Sequence, residues 1–446
     1  MHIVIIGNGI SGVTAARHIR KRSNHSITVI SSESPYFFSR TALMYVYMGL
    51  LRFQDTQPYE DGFWKKNRID LVQDYVESIA FEGKQLNLAS GQKMSYDKLI
   101  LAVGSKPNKF GWPGQDLKGV RGLYHKQDLE AMEQYSAGLQ RAVIVGGGLI
   151  GLEMAEMFLS RKIPVTFLVR ESSYWRVVLP KEESEMVNRQ IKSHGIDLRL
   201  STELKEIVDD GNGRAAAVIT HTGERIDCGF VGLTAGVRPN IDFLKGSPLD
   251  IGRGILVNNR LETNIPDVYA VGDCAEMRQP DLGRRSIEAV WYTGRMMGEV
   301  VAHNICGSNK VYHPGIWFNS AKFLDIEYQV YGNVPSQLPD GILSLYWEHP
   351  NGSKSIRINY RKDSQVVTGF NLMGIRYRQQ VCEKWIQDQA LISDVLANLS
   401  LANFDPEFFT TYESALITLY NQQTGQSIRP KSKRNLTAVL SFLKSR

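Results

Sequence analysis

The chain has 446 residues, 43% of them hydrophobic and 22% charged, which is enough for two or three globular domains with ordinary cores. The net charge is +6, and six basic residues with no acids lie from Arg429 to the end, so the rest of the chain is balanced. A nucleic-acid binder spreads its basic surplus over a folded face, so nucleic acid is excluded as a partner. No apolar run is long enough for a membrane-spanning helix. The first residues already read as a glycine-rich strand unit rather than a signal peptide, which points to a cytoplasmic protein.

In chain order, "HIVIIGNGISG" is an apolar strand that runs into Gly7-x-Gly9-x-x-Gly12, and "VTAARHIRKR" continues as a helix. Gly7 permits the tight turn, Gly9 lets backbone approach a pyrophosphate, and Gly12 lets helix and strand pack closely. The N–H groups and dipole of the helix start attract phosphate. A second strand, "SITVIS", ends just before Glu33, where an acid hydrogen-bonds a ribose.

The pattern repeats in "AVIVGGGLIGLEMAEMF", with Gly146, Gly148 and Gly151, and "IPVTFLVRES" is its second strand. That strand should end near Val169, where NADH binders carry an acid. Here Arg170 and Glu171 follow. Arg170 suits a 2′-phosphate and so NADPH, Glu171 suits a ribose, and an arginine here reads equally as a solvated loop charge. Two dinucleotide sites in one chain imply hydride transfer between a flavin held permanently and a nicotinamide that exchanges.

Further on, "VYAVGD" is an apolar strand ending in Gly272 and Asp273. A carboxylate there accepts from a sugar-chain hydroxyl, a reading compatible with Asp273 as a helix N-cap. "KFLDIEYQVYGNV", "GILSLYWEH", "KSIRINYRK" and "QVVTGFNLMG" read as antiparallel strands. "RYRQQVCEKWIQDQALISDVLANLS" has helical spacing at Val381, Trp385, Leu391, Val395 and Leu399. In the tail, Leu436, Val439, Leu440 and Leu443 form one helical stripe between basic ends. That stripe suits membrane contact or a terminal helix docked on its own domain. Cys228, Cys274, Cys306 and Cys382 form no CxxC or CxxxxC pair and lack zinc-ligand spacing, so they read as scattered thiols with no metal site.

Five motifs, in order over roughly residues 1–330, resemble the two-dinucleotide flavoproteins of the pyridine nucleotide–disulfide oxidoreductase superfamily. The first glycine motif is similar to the FAD-binding one, which implies that Glu33 serves the adenosine ribose. "SPYFFSRTAL" resembles the PYxRxxL segment, which places Arg40 at the FAD pyrophosphate. "YDKLILAVGSKP" resembles the strand and turn that return to the FAD domain, at Gly104. "GGGLIGLEMAE" resembles the NAD(P) motif, with Glu153 as the acid facing nicotinamide and flavin. "ETNIPDVYAVGDCAE" resembles the motif whose aspartate, here Asp273, binds the ribityl chain.

"RRSIEAVWYTGRMMGEV" resembles the segment whose helix start faces the flavin; it carries Arg285, Trp291 and Glu288, which the resemblance implies is a cofactor-binding residue. Trp291 either flanks the ring, on the route out for electrons, or belongs to the core. The resemblance implies an α/β fold: FAD domain 1–110 and 235–305, inserted NAD(P) domain 111–234, both Rossmann-like, and a small C-terminal α+β domain 306–446 that in many relatives forms a homodimer face or covers the flavin. Where dithiol and single-cysteine relatives carry their thiol this chain has Leu43, and Tyr45 stands where ferredoxin reductases often have a lysine.

The expected protein is therefore an FAD-dependent NAD(P)H oxidoreductase. Hydride passes to flavin N5, and electrons then pass without a cysteine relay to a small iron–sulfur or rubredoxin-like protein, or to a small-molecule acceptor. The alternatives are a peripheral NAD(P)H:quinone reductase that uses the basic tail and a flavin-containing NAD(P)H-sensing scaffold.

Overall fold

The computed structural model describes residues 1–404, 410–431 and 436–444. Residues 432–435 and 445–446 of the basic tail, and the side chain of Leu436, lie outside the described residues. The chain forms two compact units, each assembled from separate stretches: Met1–Gly146, Met157–Val165 and Leu204–Pro314 in the first, Gly147–Glu156, Thr166–Glu203 and Gly315–Arg446 in the second.

The first unit is built on a wholly parallel sheet in the order Val268–Ala270, Lys98–Leu101, His2–Ile6, Ser26–Ile30, Ile69–Val72. Its strands are near-continuous runs of Ile, Val and Leu because a parallel sheet is buried on both faces. Ile3, Val4, Ile5, Ile27, Leu99 and Ile100 are fully or almost fully buried. The helix Ile10–Arg22 follows the first strand and ends on Arg20, Lys21 and Arg22, cations that complement its C-terminal dipole. The helix Trp291–Ile305 crosses it at glycines: a Cβ on Gly298 would lie 2.5 Å from the Ser11 carbonyl oxygen, and one on Gly294 2.7 Å from the Ser11 hydroxyl. This unit also holds the parallel strands Ala142–Val145, Phe230–Leu233 and Val120–Arg121. It also holds two three-stranded antiparallel sheets, over residues 76–95 and 204–227, the antiparallel pair Ser105–Pro107 and Val237–Pro239, and the parallel pair Ile255–Val257 and Ala275–Met277.

In the second unit, residues 166–168 of the strand Val165–Leu168 pair in parallel with Asp197–Arg199, and the helix Lys181–Ser193 runs between them in sequence. A five-stranded antiparallel sheet follows, in the order Phe318–Phe323, Ile326–Gly332, Val367–Met373, Ser355–Arg361, Ile342–Glu348. The run over residues 322–334, which reads in the sequence as one strand, holds the end of the first strand and the whole of the second, because Leu324 turns the chain at φ +55°. The long helical run is likewise two helices, Gln379–Gln387 and Ile392–Ala397, broken at Gln389 with φ +53°. These helices and Glu413–Thr424 bury Val381, Trp385, Leu396, Leu416 and Tyr420 against Ile356, Ile358, Phe370 and Leu372. The tail helix Leu436–Lys444 joins this core through Val439, which is 6% exposed, with Phe442 beside Trp385. Of the stripe read in the sequence, Val439 and Leu443 pack on this core, while Leu440 is 47% exposed. No helix among the described residues is long and apolar enough to cross a membrane.

Candidate functional site

Both glycine motifs lie where a parallel strand passes into a helix. In the first, Gly7 sits at φ +112°, and a Cβ there would fall 2.1 Å from the Ala102 carbonyl oxygen. A Cβ on Gly12 would fall 2.1 Å from the Gly7 carbonyl oxygen. These two glycines are required by packing. Gly9, the N-cap of the helix, is different: nothing lies within 4 Å of where its Cβ would be. The helix has no acid in its first turn and no side-chain cap, so its positive end faces open space. The residues fit a dinucleotide pyrophosphate at this point.

Around this cradle stand the acids and the cation singled out above. Glu33 receives a two-pronged pair from Arg40, at 2.8 and 2.6 Å, and the Lys126 backbone N–H at 2.9 Å. Burial pushes the Glu33 carboxyl up, but hydrogen bonds from His125 and Arg40, the Arg40 charge and the Lys126 N–H outweigh it, leaving a pKa of about 2. The Arg40 guanidinium lies 4.5 Å from the Tyr124 ring centre and donates to the Tyr124 carbonyl. The Tyr124 hydroxyl donates to Asp273 Oδ2 at 3.2 Å and accepts the Ser105 N–H at 2.9 Å. Burial raises the Asp273 pKa, against the pull of Ser105, Tyr124 and Arg40. Asp273 belongs to a three-residue 3-10 turn, Gly272–Cys274, whose N-cap is Val271, so it caps no helix. Gly272 lies at φ +76°, and a Cβ would meet the Ser11 hydroxyl at 2.4 Å.

The second motif repeats this logic. Gly146, at φ +121°, would place a Cβ 2.6 Å from the Thr234 carbonyl oxygen, while Gly148 faces open space and Gly151 is buried. A Cβ on Gly147 would meet Val169 at 2.7 Å. Val169 is fully buried, so the position where an acid was looked for is a packing position. Arg170 pairs with Glu171 at 2.9 Å, its side chain 70% exposed. Glu153 lies on the helix Leu149–Ser160. Burial, and then the charge of Glu156, push its carboxyl up to about 7. Glu156 itself is held by Lys322 at 2.8 Å.

Tyr45 is half-buried in the short helix Leu43–Tyr47, and Leu43 is buried. Trp291 begins its helix at 38% exposure with Arg295 over its ring. Glu288 is not an open ligand. It is locked to Arg284 at 2.7 and 2.6 Å, with both side chains almost fully buried. All four cysteines are free thiols, and burial pushes Cys228 and Cys274 up to about 12 and Cys382 well up. Among the described residues no His, Cys, Asp or Glu cluster is placed to hold a metal. Tyr124, His125 and Lys126 were not singled out from the sequence. The only local signal there is the capping box His125-x-x-Asp128.

Residues 1–298 match the family described as pyridine nucleotide-disulphide oxidoreductase. The chain is 31% identical to the NADH oxidase of Methanocaldococcus jannaschii over 73% of its length and 75% of that protein. It is 29% identical to the NADH-rubredoxin oxidoreductase of Clostridium acetobutylicum, covering 70% of this chain and 76% of that one. The solved NAD-dependent persulfide reductase of A. fulgidus shares the fold, with a TM-score of 0.83 at 24% identity over 95% of this chain and 84% of that one. With two Rossmann-like cradles in place, the chain belongs to the pyridine nucleotide-disulphide oxidoreductase family and is an FAD-dependent NAD(P)H oxidoreductase.

Proposed function

We propose that this oxidoreductase passes electrons directly to a small external acceptor, a rubredoxin-like or iron–sulfur protein, with no cysteine relay. The observation that carries the reading is the state of the thiols. By the resemblance, Leu43 stands at or near the place where the thiol-using relatives carry theirs, and three of the four free cysteines, Cys228, Cys274 and Cys382, are buried with their thiols pushed up, whereas thiol chemistry needs an accessible thiolate. The relative named as an NADH-rubredoxin oxidoreductase supports the class of acceptor.

FAD, when bound, supplies the centre that takes a hydride from the nicotinamide and releases electrons. The chain supplies binding and orientation. Gly9 and its helix start take phosphate, and Asp273 and Glu33 serve the sugar chain and ribose. Gly148 admits the second pyrophosphate, and Glu153, whose pKa of about 7 lets it hold or release a proton under working conditions, serves the nicotinamide end. Tyr45 and Trp291 are assigned to the flavin surroundings, Trp291 on the exit side because of its exposure. Arg170 favours NADPH through its charge on a 2′-phosphate.

Anaerobic stopped-flow reduction with NADH and NADPH, followed by rubredoxin, ferredoxin, quinone, oxygen and persulfide as acceptors, tests the proposal. Sustained turnover with rubredoxin or ferredoxin that survives thiol alkylation is expected. Turnover that requires a persulfide and is abolished by alkylation overturns direct transfer, and failure of both nicotinamides to reduce the flavin overturns the whole reading.

A further inference from the structure

We infer that Tyr124 is a positioning residue for FAD, its hydroxyl orienting the Asp273 carboxylate and its ring and carbonyl orienting Arg40. One side chain then ties the residue assigned to the flavin end of the cofactor to those assigned to its adenosine end. The inference rests on the reading of this cradle as the FAD site.

The chain of contacts is continuous. Glu33 is paired with Arg40, Arg40 lies over the Tyr124 ring and donates to its carbonyl, and the Tyr124 hydroxyl donates to Asp273. Tyr124 is itself fixed at three points. Its N–H donates to Asp128 at 2.9 Å, its hydroxyl accepts the Ser105 N–H at 2.9 Å, and its ring is clasped by Arg40. The turn at Gly104 belongs to the same device. Gly104 has φ +64°, and a Cβ there would come within 3.0 Å of the Tyr124 hydroxyl. The glycine that returns the chain to this domain also leaves the room through which Tyr124 reaches Asp273. By donating to Oδ2, the hydroxyl restrains the rotation of the carboxylate. A carboxylate so restrained has less rotational freedom to lose when it meets a cofactor hydroxyl on binding.

The charged and titratable groups facing Asp273 are Arg40 and Tyr124, with the Ser105 hydroxyl, the neighbouring Cys274, and Glu33 and His125 behind Arg40. Removing the Tyr124 donor makes the carboxylate easier to protonate, so FAD retention should fail at a higher pH than in the native chain.

The test measures the FAD dissociation constant and its acid limb on native protein, Tyr124→Phe, Asp273→Asn and the double variant. The Tyr124–Asp273 bond is made with or without FAD, so Y124F adds only the ordering of the freed carboxylate on binding, which predicts about a three- to tenfold rise in the dissociation constant. Loss of the donor also predicts an acid limb moved to higher pH, and little further loss when Y124F is added to D273N. Native affinity with an unmoved acid limb in Y124F, or full additivity in the double variant, overturns the inference. Should Y124F not fold, 3-fluorotyrosine at position 124 keeps the shape with a stronger donor: retention at least as tight as native is expected, and a loss of FAD overturns the inference. Native protein that takes up no FAD overturns the site reading as well, whereas native binding with equal binding by Y124F removes this inference alone.

Discussion

Glu153→Gln removes a single charge from a buried helix position while preserving size. An unfolded glutamate titrates at its ordinary 4.5, and in the folded chain burial and Glu156 lift it to about 7. At about 1.4 kcal/mol for each tenfold change, that rise is worth about 3 kcal/mol as an upper figure, since the residue keeps some contact with solvent. The sign follows from proton binding. Between about 4.5 and 7 the folded state holds more protons than the unfolded state, so this group's contribution is present below 4.5 and is lost as pH rises to 7. Glutamine stays neutral throughout. E153Q should therefore match the native chain near pH 5 and exceed it by up to about 3 kcal/mol near pH 8.5. Urea denaturation followed by tryptophan fluorescence at the two pH values reads the difference. An offset between E153Q and native that is the same at both refutes the placement of Glu153 as a desolvated carboxyl.

Arg170→Ala should raise the KM for NADPH about tenfold or more, the worth of a charge-assisted hydrogen bond, and leave that for NADH near native. Equal effects on both cofactors in steady-state assays remove Arg170 from 2′-phosphate recognition. Gly12→Ala brings a Cβ to 2.1 Å from the Gly7 carbonyl oxygen, so G12A should be isolated with little flavin absorbance. A fully loaded, native-like G12A contradicts the packing. Arg357→Met strands the buried Glu183 and should cost about 3–5 kcal/mol in urea denaturation, and adding Glu183→Leu should recover most of that loss. A near-neutral R357M would show that the pair adds nothing.

The glycine cradles were legible because their requirement is local. Gly7, Gly12 and Gly146 answer to backbone a few residues away or to the neighbouring parallel strand, and their flanking strands announce themselves by apolar runs. Glu33 was legible as an acid at a strand end, but its pairing with Arg40 was not. Tyr124 had no signal, since its hydroxyl reaches a carboxylate 149 residues on. The breaks at Leu324 and Gln389 were missed because the left-handed residue in each is not glycine, so tertiary context rather than propensity sets the turn. Glu288 is instructive in the other direction. Arg284 stands four residues before it, a spacing visible in the sequence, and the pair is already satisfied within its own loop, which a family likeness does not reveal.

The strand Ser355–Arg361 shows why period-two reading fails when both faces of a sheet are covered. Its apolar set, Ile356, Ile358 and Tyr360, faces the helices of the C-terminal core. Its polar set, Ser355, Arg357 and Asn359, would be read as solvent-facing, yet these residues are 0%, 4% and 0% exposed. Arg357 meets Glu183 at 2.7 Å and Glu182 at 2.7 Å, and also donates to the Ser344 hydroxyl at 2.8 Å. Such a pair is weak as a source of stability, because desolvation offsets much of its attraction. It is strong as a constraint on register. Sliding the strand by two residues keeps every side chain on its face but sets Ser355 or Asn359 opposite Glu183. Both charges then remain buried without each other, a cost larger than any apolar gain from the slip. The polar face selects the one register in which the guanidinium meets its carboxylates, and the apolar face, which tolerates several arrangements of similar volume, supplies the stability.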